Sequence, residues 1–70
     1  MNALINEMAK ILEINAAEMM HRIMDLQEEY EVVTPEIVKN SLVHTAHAMG
    51  GEYSKKVNDL NNQYNKKAAA

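Results

Sequence analysis

The chain has 70 residues and no cysteine, phenylalanine or tryptophan, so it is one small domain, below the size at which a single core comfortably offsets chain entropy. Without cysteine, disulfides and thiolate metal sites are excluded, and the apolar 47% must build its core from Leu, Ile, Val, Ala and six Met. The net charge of −3 is mild. No stretch approaches the roughly 18 apolar residues that a membrane span needs, and the N-terminus lacks a basic-then-apolar leader; a cytoplasmic location, or an intravirion one if the source is viral, is the expectation.

From Leu4 to Tyr30 the apolar residues Ile5, Met8, Leu12, Ala16, Met19, Ile23, Leu26 and Tyr30 recur at steps of three or four. That spacing predicts one amphipathic helix over residues 2–33, uninterrupted by Gly or Pro. At 1.5 Å per residue it would be a rod of about 45 Å. The steps from Met8 to Ile23 run four, four, three, four, an eleven-residue pattern that predicts a straight or slightly right-handed path. The acids Glu7, Glu13, Glu18, Asp25 and Glu28 lie mostly off the stripe. Ile11 and Ile14 on one flank, and Met20 and Met24 on the other, are apolar residues that one hairpin partner cannot cover. Together with Met49 they are the predicted partner interface.

The sequence Glu31-Val-Val-Thr-Pro-Glu36 marks a turn at residues 33–35. Thr34 can accept a bond from the free amides of a new helix, and Pro35 fits its first position. The second helix is expected over 35–67, with Val38, Leu42, Ala46, Met49, Tyr53, Val57, Leu60 and Tyr64 as its apolar stripe. Gly50 and Gly51 interrupt that arm, each costing up to about 1 kcal/mol in a helix interior. The stripe keeps its phase across them, which favours a continuous helix with a kink at the pair; a break giving three helices is the alternative. A fold-back about residues 33–34 sets Gly50 and Gly51 beside Ala16 and Ala17, four small residues predicted to allow close packing of the arms. Beyond Leu60, the Asn-rich segment ending in Lys66 and Lys67 predicts a fraying end.

No residue set supports catalysis or a cofactor. Ser41 and Ser54 lack an acid–base pair, and adjacent carboxylates such as Glu28 and Glu29 splay about 100° apart on a helix. His44 and His47 are three apart, a permissible spacing for two metal ligands, with His21 of another subunit as a conceivable third; two exposed histidines need no explanation, and no metal site is assigned. Tyr30, Tyr53 and Tyr64 read as core-edge residues with their hydroxyls at water.

The charges are unevenly spread, with eight acids and two bases in residues 1–36 and two acids and five bases in residues 37–70. Glu28, Glu29, Glu31 and Glu36 should gather at the turn end of the hairpin, and Lys10, Lys66 and Lys67 at the other, so that opposed ends attract in an antiparallel dimer. The expected architecture is therefore an all-α antiparallel two-helix hairpin that completes a four-helix bundle or a larger helical assembly. Its expected role is a non-enzymatic protein–protein interaction or assembly module, whether a small adaptor or regulator or a minor structural component of a particle such as a virion, partnered by its own copies or another helical protein. The alternative is a nucleic-acid-binding regulator that uses Lys55, Lys56, Lys66 and Lys67. That architecture resembles the Rop-type helical hairpins that dimerise and bind structured RNA, without a shared motif.

Overall fold

The computed structural model describes residues 3–69, and the side chains of residues 3–66. The predicted start of the first helix at Asn2, and the side chain of Lys67, lie outside that range. Among the described residues the chain is all-helical: α1 (Ala3–Ile11), α2 (Ala16–Glu29), α3 (Pro35–Met49) and α4 (Gly51–Ala69), with no strand. Each of the two expected long helices is divided in two, and the 45 Å rod is replaced by a body whose longest extent is 32 Å.

The first division, at residues 12–15, is built without glycine. The Ile14 amide donates to the Ala9 carbonyl at 2.9 Å and the Glu13 amide to the Lys10 carbonyl at 3.1 Å. These are the crossed bonds of a Schellman cap, and the residue they force into the left-handed region is Glu13, at φ 58°. Asn15 then starts α2, its side chain accepting from the Glu18 amide at 2.9 Å. Ile14 and Met19, the residues flanking the first turn of α2 in the positions of a hydrophobic staple, are both half-buried against the core. The helix ends at Glu29, four residues before the expected Val33, with the Tyr30 amide bonded to the Leu26 carbonyl.

Thr34 caps α3 through a 3.3 Å bond from the Ile37 amide, and Pro35 opens the helix. The second division falls at Gly50, whose φ of 72° and ψ of −170° lie in a region open essentially to glycine alone. Gly51 follows at φ 57°. A β-carbon on either would meet nothing within 4 Å, and Ala16 and Ala17 are exposed. Close packing of these four small residues is thus corrected: the glycines are there for backbone conformation, not for helix approach. Past Leu60, where fraying was expected, α4 continues to Ala69.

Helices α1, α3 and α4 pack on one another around Ile5, Met8, Leu12, Val38, Leu42, Ala46 and Val57, all buried. Helix α1 runs opposite to α4, as the hydroxyls of Tyr53 and Tyr64 donate to the Glu13 and Glu7 carboxylates at 3.3 and 3.0 Å. Those hydroxyls are therefore bonded, not simply at water. Because each arm folds back, the start of α3 returns to the chain ends: Ala3, Leu4, Pro35, Glu36, Lys39, Tyr64 and Asn65 line one cleft. Glu36, expected at an acidic turn end remote from the chain ends, lies in that cleft instead.

Candidate interaction surface

Helix α2 stands apart from this core. It is amphipathic, with Met19, Ile23 and Leu26 turned toward the cluster, but each is only half-buried, and α2 has no fully buried residue. Its directional tie to the rest of the molecule is Arg22. The guanidinium Nη1 donates to the hydroxyls of Ser41 at 3.0 Å and Thr45 at 2.8 Å on α3. Thr45 in turn donates to the Ser41 carbonyl at 3.0 Å. Ser41 and Thr45, four apart, present both oxygens on one face. Arg22 Nε is buried without a hydrogen-bond partner. The sequence reading missed this link. Its one signal was an arginine set between Met19 and Leu26 on the buried stripe, with two hydroxyls four apart on the facing arm.

The two flanks of α2 differ in chemistry. On one, Glu18, His21, Asp25 and Glu29 line a cleft of about 400 Å³ with Arg22 and Ser41. On the other, Met20 and Met24 are 64% and 55% exposed, four residues apart on one face. Val32 beyond the end of α2 and Met49 at the end of α3 are exposed as well. Unbranched thioether side chains adapt to irregular surfaces. Isolated exposed apolar residues need no explanation, but here they coincide with a helix whose inner face is also incompletely covered. The whole chain exposes 4985 Å², against roughly 4,400 Å² expected for a folded monomer of this mass.

The five predicted interface residues divide. Met20, Met24 and Met49 are exposed, whereas Ile11 and Ile14 pack against the chain's own core, because the division at residues 12–15 turns that flank inward. The predicted lysine footprint is diluted: Lys56 lies 3.8 Å from Glu52, and the exposed Lys55 and Lys66 are about 16 Å apart along the helix with Asp59 on the same face between them. Among the described residues, no group of three His, Cys, Asp or Glu is placed to hold a metal ion, and His47 Nε2 pairs with Asn58 Oδ1 at 3.1 Å. No helix among the described residues is long and apolar enough to cross a membrane.

The hydrogen bond of Tyr64 to Glu7, then burial, then the negative charge of Glu7, raise its hydroxyl above the usual phenol range. That contact fastens α4 to α1 and lies away from the α2 flank. Comparison with known proteins returns no significant match to a family model, a curated protein or a solved structure.

Proposed function

We propose that the chain is a non-enzymatic protein–protein interaction module, an adaptor or an assembly component, and that it docks a partner helix on the Met20/Met24 flank of α2. The observation that carries this reading is the state of α2 itself: a helix with no fully buried residue and two adjacent methionines more than half exposed. Covering that flank would supply the apolar burial that so small a core lacks. The acids Glu18, Asp25, Glu28 and Glu29 outnumber Arg22 on α2, so the partner helix that fits is apolar on one face with a basic rim.

The test has two arms: sedimentation equilibrium of the chain over a range of concentrations, and fluorescence anisotropy of a labelled leucine-rich helical peptide with a lysine rim. Micromolar binding of the peptide is expected, weakened at least about tenfold by Met20→Glu with Met24→Glu, while sedimentation reports any self-association separately. Both positions are exposed, so the substitutions should leave the melting curve nearly unchanged. Absence of peptide binding, or peptide binding indifferent to the double substitution, overturns the reading.

A further inference from the structure

The two divisions of the chain face each other. Glu13, in the first, is the carboxylate that accepts from Tyr53, just beyond the second. The apolar stripe keeps helical phase through both: Met8, Leu12, Ala16, Met19 in one arm and Ala46, Met49, Tyr53, Val57 in the other. The first division contains neither Gly nor Pro and holds Glu13 in the left-handed region, which L residues other than Asn and Asp seldom enter. Nothing in Leu12-Glu13-Ile14-Asn15 prevents helix continuation. Local chemistry pulls both ways there: the Asn15 cap favours the bend, and the left-handed conformation of Glu13 opposes it.

The geometry points to an exchange dimer, in which both divisions straighten and two copies of this chain swap halves. Straightening joins α1 to α2 and α3 to α4. The hairpin contacts survive within each chain: Arg22 with Ser41 and Thr45 near the turn, and Glu7 with Tyr64 near the ends. The contacts of α3 with α1 and α4 are lost within the chain. They re-form between chains when two straightened hairpins lie antiparallel, the turn of one beside the ends of the other. The cleft that Pro35 and Glu36 share with Ala3 and Tyr64 is then rebuilt from two copies. Each lobe keeps the packing of the compact form, Glu13 in both chains leaves its left-handed conformation, and Met49, 48% exposed beside the second division, falls at the junction of the lobes. Exchange of identical elements is a low-cost route to a dimer for this reason. The partner is a second copy of the chain, whatever the α2 flank binds.

The two divisions pull the equilibrium in opposite directions, which makes the proposal testable. Gly50→Ala with Gly51→Ala disfavours the compact turn and favours a continuous helix in each of two chains, so the dimer should tighten about a hundredfold or more. Glu13→Gly relieves the compact form and should weaken the dimer about tenfold. Exchange is read directly through His47 and Asn58, whose side chains meet between α3 and α4 at 3.1 Å. Chains carrying His47→Cys and chains carrying Asn58→Cys are mixed, unfolded, refolded together at high concentration and oxidised. A covalent heterodimer is expected on the wild-type background, more on the double-alanine background, less with Glu13→Gly, and unchanged with Met24→Glu. No heterodimer on the wild-type background overturns the proposal even if the alanine variant fails to fold. A noncovalent dimer without the cross-chain disulfide also overturns it, and leaves the α2 docking reading standing.

Discussion

Tyr64 carries the clearest single-residue consequence. Its hydroxyl donates to Glu7 across the α1–α4 contact at 3.0 Å, and the bond exists only while the phenol is protonated. Its pKa is raised on folding, so the folded form holds the proton more tightly than the unfolded chain. The linked stability is fully present below the ordinary phenol value near pH 10 and is lost as pH rises through the higher folded value. Lysines titrate in the same range, so the contribution is isolated by difference. Urea midpoints followed from pH 8 to pH 11 should fall more steeply in the wild-type chain than in Tyr64→Phe. Parallel curves would show that the bond contributes nothing in solution.

At the scale of the element, α2 is the part expected to open first. It has no fully buried side chain, and its polar tie to α3 passes through one guanidinium. Local stability follows buried contact and satisfied bonding. Arg22→Ala removes two charge-assisted bonds to hydroxyls, worth about 1–3 kcal/mol while part-buried. Amide exchange should then accelerate over residues 16–29 and leave the amides of Val38–Ala46 near wild-type rates; uniform acceleration across all four helices would mean that α2 unfolds only with the rest. The elements themselves were unequally legible. Thr34 and Pro35 announce α3 because capping and ring geometry are local chemistry; Gly50 and Gly51 signalled the second division because glycine is costly in a helix, but the stripe's unbroken phase across them favoured a continuous helix instead. The division at residues 12–15 escaped because a Schellman cap usually shows itself by glycine, and here Glu13 takes that place. Asn15 followed by Glu18, flanked by Ile14 and Met19, was a readable start signal that an unbroken apolar stripe concealed. The expected interface residues divide accordingly: Met20 and Met24 are exposed, whereas Ile11 and Ile14 turn inward with the unforeseen bend.

For the whole molecule, the packing of α1, α3 and α4 on one another makes the core a shared structure with Leu42 at its centre. Leu42 is fully buried, as are Ile5, Met8 and Val57. Truncating such a residue loses its transfer free energy and leaves a cavity, about 2–5 kcal/mol for Leu→Ala. A core this small rarely supplies more than about 3–5 kcal/mol in all. Leu42→Ala should therefore abolish the cooperative thermal transition and most helicity at 25 °C, followed by far-UV circular dichroism. Ile23→Ala on α2, where the side chain is only half-buried, should cost about 1–2 kcal/mol and leave a cooperative transition at lower temperature. The contrast between the two variants distinguishes a three-helix core carrying a marginal fourth helix from a bundle of four equal partners. In a bundle of equals, both truncations would lower the transition by similar amounts. With α2 marginal, the core can persist while the helix that bears the exposed methionines loosens, so that a partner covering Met20 and Met24 would stabilise α2 more than any other part of the chain.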